Sequence, residues 1–507
     1  AAGSSYLKWA VTQLVLHPPK FMSTSLCDLD GDNKTRIYMK QKSQLVIISI
    51  PLTRIARNSL SNSVLDPLRA RGDVLIVAPF ADEPGFQRDF SGKNTYFLQW
   101  QDNSISKIKK VFLSVPELMR RLGYWRKFKN KGLMYYLLNQ YTNFGAEGKD
   151  SRFGIFRTFI YWLLSVIGKH PSTWEITEKC CGRGWYNFPG LLEFSNSYEK
   201  VSLIQSANWG MQDRVLARVS SGQDWRKVLL PYTTDQLFTN GFLLNKFDAV
   251  CVQGDFELGQ AKDFHFVPED RIFKLGSAWF RHMQEIQSKN NIGEKPKNET
   301  PLIIYAGVTN TNFPSKSEFQ ALDAIVEFVE SSNEEFRLIY RPVVFDDHLK
   351  QIIESRYGNS NLINIQWPKA SAIGLDKYSE MDQDNSLREY VNDMSGCKLL
   401  VMSYLTSFCK DAAFLEGCGV ISNMIDSNNM LSNRHNHLFP TYMLPGVRIV
   451  DTVDGLIDNI KKLLCNPEQT KRESAEVISL WDYPATDFQY VLVSAVYGEQ
   501  NSGVLND

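Results

Sequence analysis

Neither sign of charge is in excess in this chain: 56 lysines and arginines face 56 aspartates and glutamates over 507 residues. A balanced composition gives no global field of the kind that draws proteins onto nucleic acid, so no nucleic-acid partner is expected. Cysteine is scarce, with eight residues at positions 27, 180, 181, 251, 397, 409, 418 and 465 and no CxxC pair. The adjacent Cys180 and Cys181 cannot hold zinc alone, and the set points to reduced, mostly buried thiols in a reducing compartment. Long apolar runs are missing too. The longest, Ile155 to Gly168, contains Arg157 and falls short of the ~20 residues a spanning helix needs. The first residues show no basic segment leading into an apolar run and a small-residue cleavage site, so no secretory leader is expected. There is no Walker phosphate loop, no HExxH helix and no GxSxG nucleophile elbow. No short repeat suggests a solenoid.

What the chain does have is length and alternation. An apolar content of 43% belongs to a globular protein, and 507 residues exceed what one core accommodates, so two domains are expected. Gln44–Ile50 is a β-branched run, a helical stretch follows to Arg71, Gly72 stops it, and Asp73–Ala78 is a second apolar run. Strand, helix and strand at this spacing make a parallel βαβ unit. Val201–Ile204, Lys227–Leu230, Ala249–Val252 and Ile272–Leu275 extend the pattern, which restarts at Leu302–Ala306 and continues through Phe336–Tyr340, Asn361–Ile365, Lys398–Met402 and Gly419–Ser422. The expected organisation is an unassigned extension over 1–40, a Rossmann-like domain over 41–282, a polar linker over 283–300, a second Rossmann-like domain over 301–478, and an aromatic tail over 479–507. That tail either crosses back to the first domain or packs on its own.

The most informative stretch is Ser403-Tyr-Leu-Thr-Ser-Phe-Cys-Lys-Asp411, where a buried strand stops at small hydroxyl residues and a helix begins. Ser403, Thr406 and Ser407 at the helix start, with Asp411 one turn further in, suit a phosphate cradle. An ordinary Ser/Thr helix cap explains the same residues. The stretch resembles the nucleotide-diphosphate half-site of GT-B enzymes, the two-Rossmann glycosyltransferases whose architecture is shared by non-hydrolysing UDP-sugar 2-epimerases and CDP-glycerol glycerophosphotransferases. The resemblance implies an α/β fold of two doubly wound domains facing a central cleft, with donor binding in the second and acceptor binding in the first.

Other strand ends fit this frame. Thr53, Arg54 and Arg57 follow the first strand, ahead of Asn58 and Ser59, which are expected to open a helix; two guanidinium groups there suit a phosphate or carboxylate. Leu230 to Gly241, containing Thr234 and Asp235, resembles a segment of bacterial surface-carbohydrate glycosyltransferases. That resemblance makes Asp235 the general-base candidate, with a plain N-cap as the alternative; Asp82, Glu83 and Asp213 are the next carboxylates to consider. The order from Asp248 to Ser277 is similar to the close of the first domain in the same families, with Gly254 and Gly276 admitting backbone to the cleft. In the second domain Gly307, Thr309 and Asn310 present backbone N–H groups towards a donor phosphate. Arg341-Pro342 stands where relatives carry His-Pro, and an arginine keeps the cationic contact but supplies no acid near neutral pH.

Several patterns carry less. Asp28-Leu-Asp-Gly-Asp-Asn33 has its glycine at the wrong loop position for calcium. Asp28-Leu-Asp30 and Asp382-Gln-Asp384 spell DxD without the strand a metal-dependent transferase places before it, and His435 and His437 have no partner cluster. No metal and no cofactor are expected. Residues 107–131 hold nine cations against one acid, Glu117, with aromatic and aliphatic side chains between them. This composition suits an anionic membrane surface, with Ile155–Ile167 available for insertion; a packed helix with a solvated basic face is the alternative.

Together these features predict a metal-independent glycosyltransferase moving a sugar from a nucleoside-diphosphate donor to a carbohydrate or lipid-linked acceptor in surface-glycan synthesis. Its expected location is the cytoplasm, peripheral at the inner face of the membrane. A 2-epimerase, or a degenerate GT-B module that binds glycan or scaffolds an assembly, remains the alternative.

Overall fold

Uninterrupted apolar runs of four to eight residues must be covered on both faces, and in this chain they become the inner strands of two parallel sheets layered with helices. The computed structural model describes residues 42–101, 107–128, 152–170, 172–173, 176, 188–206, 210–233, 236–239, 243, 246–289, 300–307, 315–342, 347–367, 383–403, 408–415, 418–425, 446–483 and 487–499. The extension over 1–40 lies outside them.

The first half runs β1 (Lys42–Ser49), α1 (Thr53–Ser59), α2 (Asn62–Arg69), β2 (Asp73–Ala78), α3 (Pro84–Phe90), β3 (Thr95–Gln99), α4 (Lys107–Phe128), α5 (Arg152–Ile167), α6 (Pro189–Ser195), β4 (Tyr198–Gln205), α7 (Gly210–Ser221), β5 (Arg226–Leu229), α8 (Gln236–Thr239), β6 (Ala249–Val252), α9 (Asp255–Asp263), β7 (Ile272–Lys274) and α10 (Ala278–Lys289). The second runs β8 (Leu302–Ala306), α11 (Ser315–Ser331), β9 (Arg337–Arg341), α12 (Asp347–Tyr357), β10 (Ile363–Ile365), α13 (Gln383–Gly396), β11 (Cys397–Ser403), α14 (Phe408–Leu415), β12 (Gly419–Asn423), β13 (Val447–Val450), α15 (Val453–Cys465), α16 (Pro467–Trp481) and α17 (Phe488–Tyr497).

Both sheets are all-parallel, ordered β3-β2-β1-β4-β5-β6-β7 and β10-β9-β8-β11-β12-β13. Each is a doubly wound Rossmann-like arrangement. The chain starts at a central strand, builds to one edge, then returns to the other side, so the order reverses between β1 and β4 and between β8 and β11. Crevices open outside the carboxyl ends of the strands at such reversals, which is where ligands sit in folds of this kind.

Period-two alternation fills both faces of each sheet. On the first sheet Val46, Ile48, Val74 and Ile76 pack on one side, and Leu45, Ile47, Leu75 and Val77 on the other. On the second, Leu302, Ile304 and Leu400 share one core while Ile303, Tyr305, Leu399 and Val401 share the opposite one. Helix α10 leaves the last strand of the first sheet yet buries Phe280, Met283 and Ile286 in the second sheet's core.

The chain then returns. Helix α16 packs against α14 and α9, and α17 lies on the first sheet, where Phe488, Leu492, Ala495 and Val496 join the core of Val46 and Ile48. Ser202 Oγ donates to Val496 O at 2.8 Å and Arg226 Nε to Ala495 O at 2.7 Å. The end of α16 lies against Gly254, and Asp482 and Tyr483, which follow it, lie against Gly276. A Cβ on Gly254 would meet Leu480 O at 2.4 Å; on Gly276, which has φ +89°, it would meet Asp482 Oδ1 and Tyr483 O at 3.0 Å. The backbone that lies against these two glycines is the chain's own, returning from the second sheet. Asp482 anchors it by accepting from Ser277 N at 2.7 Å and pairing with Arg281. Burial pushes the Asp482 carboxyl up to about 6, although Arg281 opposes the shift.

Within the basic stretch, two of the charges of α4 lie in the interior. Arg120 is fully buried in α4, and Glu117 is buried between Arg121, at 2.6 Å, and Arg214. A carboxylate held by two guanidiniums ties α4 to α7, so part of this charge serves the interior. Among the described residues no helix is long and apolar enough to cross a membrane.

Candidate functional site

The first sheet contributes the end of β1 and its neighbours. Helix α1 begins at Thr53, with extended Leu52 as its N-cap, so Arg57 stands in the last turn, and Asn58 and Ser59 close the helix instead of opening it. The helix starts early because Pro51 and Leu52 already break the strand, and the next helix begins just after extended Ser61. Thr53 is half-buried in the first turn, and the side chain of Arg54 lies outside the described residues. Asn58 Nδ2 donates to Tyr232 O at 3.3 Å. Tyr232 N in turn donates to Gln236 Oε1 at 2.8 Å, and Gln253 Nε2 to Pro231 O at 2.9 Å. The loop leaving β5 is therefore pinned on both sides beside the end of α1. Thr234 and Asp235 belong to that loop and lie outside the described residues.

At the reversal between β1 and β4, Asp213 in the first turn of α7 is fully buried and accepts from Ser49 Oγ at 2.7 Å. Gln212 Nε2 donates to Val77 O at 2.7 Å, and Gln205 Nε2 to Asp213 O at 3.0 Å. These bonds tie the ends of β1, β2 and β4 to α7 and fix the floor of the crevice.

The second sheet presents Arg341 at the end of β9. Its Nε donates to Gln366 Oε1 and its Nη2 to Asp393 Oδ2, both at 2.7 Å, and Gln366 Nε2 donates to the same Asp393 oxygen at 2.8 Å. The guanidinium lies 5.1 Å from the Tyr390 ring centre, and its Nη1 is buried without a hydrogen-bond partner. Tyr390 donates to Asp411 Oδ2, and Trp279 Nε1 donates to Asp411 Oδ1 at 3.0 Å. Arg57 lies 5.1 Å over the Trp279 ring. Five side chains from α1, α10, β9, α13 and α14 thus form one continuous contact from Arg57 to Arg341, joining the two sheets at their carboxyl ends.

Electrostatics follow from burial. Desolvation pushes the Asp411 carboxyl up to about 6, while the Tyr390 and Trp279 hydrogen bonds and the charges of Arg57 and Lys410 pull the other way. Desolvation together with Asp411 raises the Tyr390 phenol well above its ordinary value, so it stays a donor.

Deeper in the second sheet the strand ends are closed by neutral and acidic groups. Ser403 is fully buried with its Oγ 2.6 Å from Tyr305 Oη, and Asn423 Nδ2 donates to the same phenol at 3.0 Å. Tyr340 Oη donates to Glu318 Oε1 at 2.6 Å. A Cβ on Gly307 would come within 2.4 Å of that carboxylate oxygen, so a side chain there would push the Glu318 carboxylate off Tyr340. Ser403 accordingly serves the buried network around Tyr305. Thr309, Asn310, Thr406 and Ser407 lie outside the described residues.

The structure therefore joins Arg57, Arg341 and Asp411 of the residues singled out from sequence, and adds Trp279, Tyr390, Gln366 and Asp393, which sequence reasoning missed. Their only sequence signal is polar or aromatic character near strand ends. Among the described residues no cluster of three or more His, Cys, Asp or Glu is placed to hold a metal ion. The indole and phenol donate to Asp411, and Arg341 donates to Gln366 and Asp393, so the guanidinium N–H that a bound anion could use here is Arg341 Nη1, with Arg57 across the Trp279 ring.

No protein-family model matches the chain, and neither does the sequence of any curated protein. Among solved structures it is similar to the UDP-GlcNAc 2-epimerase from Methanocaldococcus jannaschii, at 9% identity and a TM-score of 0.48, covering 89% of this chain and 99% of that one. A glycosyltransferase from Rickettsia africae gives 9% and 0.43 over 90% and 97% of the two chains. A wall teichoic acid polymerase gives 9% and 0.44 over 90% and 89%. Likeness at this level says nothing of the reaction, so a functional reading rests on the geometry of the chain's own site.

Proposed function

We propose that the chain is a metal-independent glycosyltransferase that moves a sugar from a nucleoside-diphosphate donor to a carbohydrate or lipid-linked acceptor. The observation that carries this reading is the interlocked contact from Arg57 on the first sheet through Trp279, Asp411 and Tyr390 to Arg341 on the second. A leaving diphosphate concentrates negative charge, and without a bound metal that charge must be balanced by guanidinium groups and N–H donors. Arg341 retains a buried, unpartnered N–H, and the second sheet's crevice lies beside it. Thr406, Ser407, Thr309 and Asn310 are proposed to complete the donor site there. Asp235, three positions after Tyr232 in the sequence, is proposed as the base that takes the acceptor hydroxyl's proton as the glycosidic bond forms.

The test is turnover with a panel of UDP-, GDP- and CDP-linked sugars and CMP-linked sialic acid, in the presence and absence of chelator. The reading expects transfer from one of the nucleoside-diphosphate donors, indifferent to chelator, and none from the CMP-linked one. Asp235→Asn should lower kcat by ~10²–10⁴ while leaving donor affinity nearly unchanged. Epimerised donor with no transfer product points to the 2-epimerase instead, and inertness towards every donor to a binding module.

A further inference from the structure

Helix α5 reads Arg-Phe-Gly-Ile-Phe-Arg-Thr-Phe-Ile-Tyr-Trp-Leu-Leu-Ser-Val-Ile and contains no acidic residue. How it packs decides which of these side chains meet water. Its carboxyl end is pressed against α4 at two glycines: a Cβ on Gly123 would lie 2.0 Å from the Gly168 carbonyl, and one on Gly168 would lie 2.0 Å from Met119 O. Ser165 is buried on the same side and lies 3.3 Å from Arg126 Nη1. With Ser165 and Gly168 turned inwards, the 3.6-residue period turns Phe159, Trp162, Leu163 and Ile167 outwards. They are 56%, 52%, 41% and 39% exposed. This is one apolar ridge, with the Phe159 and Trp162 rings stacked at 6.1 Å.

Cations surround it. Arg126 lies 5.7 Å from the Trp162 ring, and Lys127 is exposed and 4.1 Å from the half-exposed Phe266 ring. Lys169 and His170 are exposed just beyond the end of α5. The one acid of α4, Glu117, is buried between Arg121 and Arg214. Among the described residues neither helix presents a carboxylate to solvent.

We infer that the exposed face of α5, rimmed by Arg126, Lys127 and Lys169, is a docking surface for an anionic lipid bilayer, with α5 lying in the headgroup plane. The chemistry chooses this occupant. An aromatic and aliphatic ridge beside cationic side chains matches an interface that offers apolar depth under anionic headgroups. A second copy would bring the same positive rim against itself. At 16 residues, or ~24 Å, the helix lies in the interface and does not span. The inference stands apart from the transferase reading, and it moves the contact from the basic stretch as a whole to one face of the helix beside it.

The experiment is co-sedimentation of the full chain with phosphatidylcholine vesicles, with and without phosphatidylglycerol, at low and physiological salt. Parallel samples measure quenching by brominated lipid, and light scattering without lipid measures mass. Binding is expected only with phosphatidylglycerol, and to weaken several-fold as salt rises. Phe159→Gln with Leu163→Gln should reduce partitioning at least tenfold, and Lys127→Gln with Lys169→Gln several-fold, with melting temperatures unchanged because all four side chains are exposed. Trp162→Phe should remove most of the bilayer-dependent quenching. Absent binding, indifference to lipid charge, wild-type partitioning of the Phe159/Leu163 variant, or a dimer that this variant dissolves would each overturn the inference.

Discussion

Asp411 shows how burial sets the behaviour of a single residue. Its folded-state pKa of about 6 lies above the ~3.9 of an unfolded aspartate. Its favourable contribution to folding is therefore complete below about pH 4 and is lost as pH rises through about 6. Asn, like the protonated form, carries no charge; its Oδ1 accepts from Trp279, and the Tyr390 hydroxyl turns from donor to acceptor of its Nδ2. Asp411→Asn should thus match wild type near pH 4 and exceed it by about 2 to 3 kcal/mol near pH 7, as measured by denaturant titration. A difference that does not change with pH would mean that burial is not what shifts this carboxyl. Arg341 tests geometry in place of charge. Lysine cannot hold Gln366 and Asp393 with one planar fork, so Arg341→Lys should weaken nucleoside-diphosphate binding at least tenfold in calorimetry. Wild-type affinity in that variant would leave only the charge, and not the fork, as relevant.

At the scale of elements, legibility followed burial. Runs such as Leu45–Ile50 and Leu399–Met402 are covered on both faces and so are apolar throughout, which makes them readable as central strands. Thr95–Gln99 and Val447–Val450 are edge strands, partly exposed, and their mixed composition did not mark them as strands. The start of α1 was misplaced because its cap, Leu52, makes no side-chain hydrogen bond and so leaves no Ser, Thr, Asp or Asn signature. The aromatic tail was visible as too apolar for water, but only the folded chain shows α17 closing the first sheet. Leu492 is fully buried there, and Leu492→Ala should cost about 2 to 5 kcal/mol. A loss below about 0.5 kcal/mol, the range of surface changes, would mean that α17 is not part of that core.

Across the whole molecule, what the sequence could not display is contact at distance. Trp279 and Asp411 are 132 positions apart, and Arg57 and Arg341 start from different sheets, so no local spacing announces that they share one site. The doubly wound order of each sheet explains why they meet: strand reversals place carboxyl ends at a crevice, and α10 carries Trp279 from the first sheet into the packing of the second. A ligand held at this junction binds the folded chain only, so at 100 times its Kd it should add about 2.7 kcal/mol of stability. The central claim is that both sheets grip one nucleoside diphosphate. Calorimetric titration of UDP, GDP and CDP into wild type, Arg57→Ala and Arg341→Ala tests it most directly. The account predicts that one nucleotide binds wild type and that each substitution, with the fold intact by circular dichroism, weakens it at least tenfold. Binding that Arg57→Ala leaves unchanged, or no binding to wild type by any of the three, would contradict it.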